Sequence, residues 1–142
     1  METHVPPSGG GRWRTRVRLT GRSLEPVVIS FGHDRPWGRV FQREFQRKAQ
    51  EPWHPLAHRV LFAALGWADR QGHAAFDPGK LAVLLGKHGR PLSDQSTNNA
   101  ISRAKKWDLV SPRSGAACLV LPPHLFQKGK GAPVPCRLHQ GR

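Results

Sequence analysis

From Pro55 onward the apolar residues fall into register. Leu56, Val60, Leu61, Ala64, Leu65, Trp67 and Ala68 recur on one side of a 3.6-residue period, which predicts a helix ending near Arg70, where Gln71-Gly72 supplies a stop. His73 to Phe76 reads as a short extended link. Asp77-Pro78-Gly79 predicts an N-cap followed by proline at the first helical position, and Leu81, Leu84 and Leu85 form the buried stripe of a second, short helix closed by Gly86. A polar turn, Lys87 to Pro91, follows. Ser93 is a suitable N-cap for a third helix whose inner face is Thr97, Ala100, Ile101 and Ala104. Leu109-Val110 leads out, Pro112-Arg113-Ser114-Gly115 reads as a turn, and Ala117 to Leu121 reads as a strand. The predicted order is helix, short strand, helix, turn, helix, hairpin.

Upstream the pattern is weaker. Residues 1–11 are rich in Pro and Gly, lack the apolar stretch of a signal peptide and read as disordered. Residues 12–22 alternate, with Arg12, Arg14, Arg16 and Arg18 interleaved with Trp13, Thr15, Val17 and Leu19. That period fits an edge strand or an extended arm. The arm is favoured, because alternating arginines would face like charge on a neighbouring strand. Val27, Val28, Ile29 and Phe31 form a β-prone run ending at Gly32, and His33 to Gly38 reads as a loop. Val40, Phe41 and Phe45 then recur at helical spacing opposite Arg39, Arg43, Arg47 and Lys48. The chain thus divides into a disordered basic arm (1–22), a strand and short helix packing on the core (23–53), a core domain (54–122) and a Pro/Gly-rich basic tail (123–142).

Composition narrows the class. In a chain of 142 residues, 37% apolar with 15 Gly and 13 Pro, one compact core with extended flanks is the expected arrangement. No apolar run approaches the roughly 20 residues that span a bilayer. Two cysteines are no disulfide scaffold; they point to a reducing cytoplasm, where a Cys118–Cys136 disulfide is disfavoured. The 23 Lys and Arg residues against 9 acids give a formal charge of +14, a field that attracts polyanions. Nucleic acid is the commonest such partner; a ribosomal or membrane surface is the alternative. Residues 1–50 hold ten basic and four acidic side chains, residues 51–110 eight and five, and residues 111–142 five and none. The charge is concentrated outside the core, as in a compact reading head with basic extensions that grip phosphate.

The third helix sharpens that expectation. Its outer face carries Asp94, Gln95, Asn98, Asn99, Ser102 and Arg103, with Ser93 and Ser96 in its first turn and Lys105 and Lys106 at its end. A major groove admits one helix, and there Asn or Gln pairs with adenine and Arg with guanine through two hydrogen bonds each. The structural alternative is an ordinary solvated face. The segment from Leu92 to Val110 resembles the recognition helix of bacterial winged helix-turn-helix regulators, which share a Val-Ser opening, an Ala-Ile pair and a closing Gly-Leu-Val/Ile at these offsets. Leu81-Ala82-Val83-Leu84-Leu85-Gly86 similarly resembles their preceding helix, Leu-Ala-x-x-Leu-Gly. From about His54 to Pro122 the chain is similar to such proteins of actinobacteria, their bacteriophages and mobile elements, which often continue with a Cys-Leu-Val-x-Pro strand and a late Cys-x-x-His. Asp108 stands where those proteins usually have Gly, and the Lys87 to Pro91 turn is long for a tight helix-turn-helix.

The resemblance implies a mainly α fold with a small β-hairpin wing (α+β) and extended basic N- and C-terminal segments. It implies a cytoplasmic, nucleoid-associated protein that binds double-stranded DNA in transcription regulation, or in replication of a phage or mobile element. Many such regulators bind as dimers, which leaves a homodimer open although no heptad seam is visible. DNA contacts are expected from the third helix, from Arg113 on the wing turn and from Arg12, Arg14, Arg16 and Arg18. Two other readings stay open: a looser binder of RNA or non-specific DNA, and a winged-helix module that docks on the transcription machinery without reading bases.

Catalytic signatures are absent. The sequence has no Gly-rich phosphate loop, no nucleophile elbow and no His-Glu-x-x-His, and its acids are scattered, so neither an enzyme nor a small-molecule substrate is expected. His54 and His58 lie four apart, but His54 is expected to precede the first helix and His58 to face solvent. The five tryptophans (Trp13, Trp37, Trp53, Trp67 and Trp107) read as core or edge packing, with Trp67 and Trp107 on helical faces that need filling. In the tail, Cys118, His124, Cys136 and His139 offer two thiols and two imidazoles, a set that suits structural zinc. The spacing is not a common finger pattern and a cysteine on a strand is usually a small buried residue, so no cofactor is favoured and zinc is the alternative.

Overall fold

The computed structural model describes residues 36–129 and 136–139, together with the backbone of 13–17 and 25–29. The chain forms two compact units, Met1–Val40 and Phe41–Arg142. In the first, β1 (Trp13–Val17) pairs antiparallel with β2 (Glu25–Ile29). The arm expected over 1–22 therefore contains a strand. The like-charge objection does not apply, because the register sets Arg14 opposite Val28 and Arg16 opposite Pro26. Arg12 and Arg18 lie outside the described residues.

The second unit is mainly α with a small antiparallel sheet. Its elements are α1 (Gln42–Ala49), α2 (Leu56–Trp67), β3 (His73–Ala75), α3 (Lys80–Leu85), α4 (Asp94–Lys106) and β4 (Cys118–Val120). β3 and β4 pair antiparallel, with His73 opposite Val120 and Ala75 opposite Cys118. α2 touches every other element of the unit. Its one-sided period explains why: Val60, Ala63 and Ala64 are fully buried, and the Leu81, Leu84, Leu85 stripe of α3 and the Ala100, Ile101, Ala104 stripe of α4 close over them. Each large aliphatic side chain so buried contributes on the order of 1.5–3 kcal/mol. One face of the sheet, Ala74 and Leu119, completes this core; Cys118 and Val120 belong to a separate small cluster with Cys136.

Side chains of one helix cap the ends of others. Gln42 Nε2 donates to the carbonyls of Leu65 and Ala68 at 3.0 and 2.9 Å, and Gln46 Nε2 donates to Gly66 at 2.8 Å, closing the C-terminal end of α2. Gly66 permits that approach, since a Cβ there would fall 2.8 Å from the Gln46 nitrogen. Arg59, fully buried in α2, donates to Ala49 O at 2.8 Å, Leu84 O at 3.1 Å and Leu85 O at 3.2 Å. A single guanidinium thus satisfies orphan carbonyls at the C-terminal ends of both α1 and α3.

Three local expectations are corrected. α2 stops at Trp67 rather than near Arg70, because Ala68 turns extended and Asp69 Oδ1 accepts from the backbone nitrogens of Gln71 and His73 at 2.8 and 3.0 Å. Asp77 does not cap α3. Pro78 and Gly79 (φ 76°) instead form the centre of a turn closed by Lys80 N–H to Asp77 O at 3.0 Å, the type II arrangement that Pro-Gly favours. His58 is half-buried rather than solvent-facing, its ring 5.8 Å from that of Trp107, while His54 precedes α2 as expected.

Candidate functional site

Among the described residues two features carry chemistry: the outer face of α4 and a largely buried Cys/His cluster at the β3–β4 sheet. α4 is held at both ends. Ser93 Oγ accepts from Ser96 N–H at 3.1 Å, so the expected N-cap is formed and that oxygen is engaged in it. At the other end Asp108 (φ 57°) takes the left-handed position, with Asp108 N–H to Lys105 O at 3.0 Å and Leu109 N–H to Ala104 O at 2.9 Å. Thr97, Ala100, Ile101 and Ala104 are buried, as their spacing requires.

The opposite face is open. Asp94, Gln95, Asn98, Asn99, Ser102, Arg103 and Lys106 are exposed, Ser96 and Lys105 are half-buried, and Arg113 is exposed on the turn that leads to β4. Ahead of α4, the eight-residue link from α3, Gly86 to Ser93, contains a turn with His88 at φ 52° and Gly89 at φ 74°, closed by Arg90 N–H to Lys87 O at 2.9 Å. Gly86 is required there: a Cβ would overlap the Arg90 carbonyl. Arg14 and Arg16 sit in the other unit, on β1.

The second site gathers residues from three segments. The ligand atoms of His73 on β3, Cys118 on β4 and Cys136 and His139 in the tail all lie within 4.8 Å of one another, a cluster that could hold a metal ion. Both cysteines are free and buried. Cys118 Sγ lies 3.7 Å from His73 Nδ1, and Cys136 Sγ lies 3.1 Å from His139 Nδ1. His139 Nε2 donates to Arg113 O at 2.9 Å, and its backbone N–H donates to Cys136 Sγ at 3.3 Å. Burial pushes the Cys118 thiol up to about 12, with the neighbouring Cys136 adding to the shift. Burial also lowers the His73 pKa, reinforced by His139, which favours the neutral ring.

The chain matches no protein-family model, no curated protein and no solved structure.

The tail set expected from spacing is corrected at one position. His124 is exposed on a turn after β4, and His73 takes its place. The reason is sheet register: with His73 opposite Val120 and Ala75 opposite Cys118, His73 and Cys118 are diagonal neighbours on one face of the hairpin. The signal was present in the extended link His73 to Phe76, whose pairing with the later strand no spacing along the tail could reveal. Arg137, between the two tail donors, was also missed. Its guanidinium donates to Phe76 O at 3.1 Å, and it lines a cleft with Asp94 and Asn98 of α4. Among the described residues no helix is long and apolar enough to cross a membrane.

Proposed function

We propose that the protein binds double-stranded DNA as a winged helix-turn-helix, with α4 in the major groove and the turn at Arg113 as the wing beside it. The observation that carries this reading is the division of α4: four buried positions, Thr97, Ala100, Ile101 and Ala104, fasten it to the core, while Gln95, Asn98, Asn99 and Arg103 face outward from the same helix. Those are the side chains able to make paired hydrogen bonds to adenine and guanine edges. Lys106 and Arg113 are exposed cations that would contact phosphate on this reading, and the +14 charge would supply the attraction. The role is sequence-specific, in transcription regulation or in replication of a mobile element. On this reading the Cys/His cluster would be support rather than a reaction centre, since a zinc ion, were one held by all four donors, would have no position left for a substrate.

Selection of bound genomic fragments followed by footprinting tests it. A defined protected site is expected. Asn99→Ala should lose about tenfold or more in affinity for that site while keeping its affinity for random DNA, as expected for one base-reading pair. Lys106→Ala should weaken binding to all sequences alike. Affinity no better than roughly 10⁻⁴–10⁻⁶ M at physiological salt, with no protected site, would count against DNA reading and leave RNA or protein docking.

A further inference from the structure

We propose that His73, Cys118, Cys136 and His139 form a structural zinc site that fastens residues 136–139 to the β3–β4 sheet. The site stands independently of the DNA reading and would remain if that reading failed.

The donor set is the first argument. Two thiolates and two imidazoles fill the tetrahedral shell that zinc prefers, with Zn–S near ~2.3 Å and Zn–N near ~2.0–2.1 Å. Bonds of that length put neighbouring donors roughly 3.3–3.8 Å apart. The separations of 3.7 Å for Cys118 Sγ to His73 Nδ1 and 3.1 Å for Cys136 Sγ to His139 Nδ1 are close to those edges, and all four donors fall within 4.8 Å. A pair at the 4.8 Å limit must close by about 1 Å to reach the edge of a tetrahedral shell.

The surroundings are those of a ligand set rather than of four chance neighbours. His139 Nε2 carries its proton toward Arg113 O, which fixes the tautomer and leaves the Nδ1 lone pair facing Cys136. The His139 backbone N–H points at Cys136 Sγ, as it would to stabilise a thiolate. The His73 and His139 rings cross edge-to-face at 74°, with centroids 5.1 Å apart, so the two imidazoles converge without stacking. His73, Cys118 and Cys136 are 5%, 0% and 6% exposed, so these donors converge out of reach of solvent. On binding zinc, two Zn–S and two Zn–N bonds form, and the two thiol protons leave to solvent.

The fastening has a place to act. The segment from Cys136 to His139 lacks regular secondary structure, and its apolar contacts are those of Cys136 with Cys118 and Val120 and of Leu138 over Gly115, where a Cβ would fall 2.9 Å from a Leu138 methyl carbon. Four such residues cannot offset their own ordering entropy, whereas a metal tying them to two strands can. The ion thereby also fixes Arg137 in the cleft beside Asp94 and Asn98 of α4.

The test uses the full chain expressed with zinc in the medium and purified without chelator. Elemental analysis should give about one zinc per chain, and cobalt(II) put in its place should show the intense visible absorption of a tetrahedral thiolate site. Cys136→Ser and His139→Gln, both outside the main core, should each reduce bound zinc about tenfold or more, while His124→Ala retains it in full. Trypsin cleavage after Arg137 should be about tenfold slower with zinc bound than after stripping with EDTA. Wild-type protein that retains less than about a tenth of an equivalent after dialysis against excess zinc overturns the proposal, and so does loss of the metal on His124→Ala.

Discussion

At φ 57°, Asp108 holds a backbone conformation that an L side chain enters at a cost of roughly 1–2 kcal/mol, and it does so because α4 ends in a paired 6→1 and 5→2 hydrogen-bond motif that demands it. Glycine meets that demand without the clash but loses more entropy on folding, so Asp108→Gly should stabilise the protein by about 0.5–1 kcal/mol net. Thermal unfolding checks this, and a lowered midpoint would show that the Asp108 carboxylate contributes more than its backbone strain removes. The position illustrates what sequence could and could not convey. That a helix must stop after Trp107 was legible from Leu109-Val110 and from the resemblance, which puts Gly at that place. That Asp could occupy the left-handed position instead was not, since short polar side chains tolerate it only where the following hydrogen bonds hold the chain there.

Between elements, legibility follows the range of the determining contact. α2, α3 and α4 were readable because each buries a stripe set by its own periodicity, the last strand because a short apolar run follows a turn, and Ser93 signals its cap within three residues. The β1–β2 pairing, the turn at Asp77 and the place of His73 were misread or missed, because a partner strand or a competing turn geometry decided them. Arg59 is the clearest such case: within an apolar stripe it resembles a stray charge, yet it joins α1, α2 and α3 through three backbone carbonyls. Arg59→Met keeps much of the volume but leaves those carbonyls buried without a donor, and should cost about 3 kcal/mol. Arg59→Lys should recover little, since one ammonium cannot reproduce the guanidinium's fork. Urea midpoints of the two variants measure this. A loss under about 1 kcal/mol for Arg59→Met would mean that water reaches the helix ends and that the joint is not structural.

For the molecule as a whole, the uneven charge makes a separable prediction. If α4 reads bases, specificity resides in its outer polar side chains, while the flanks, with ten basic residues in 1–50 and five in 111–142, supply attraction that is blind to sequence. Affinity should then fall steeply with salt, each phosphate contact contributing about 0.9 to the slope of log K against log salt. Changing Arg12, Arg14, Arg16 and Arg18 together to alanine should weaken binding to cognate and random DNA by the same factor and flatten the slope, by up to roughly 3–4 if each residue meets a phosphate. The protected site should keep its sequence and length. Should the quadruple variant instead lose the cognate site while retaining random binding, these four arginines read the duplex themselves, and the proposed division between a reading helix and gripping flanks is wrong. An unchanged slope would mean that these arginines do not touch DNA, and that phosphate contacts come from α4, Arg113 and the tail.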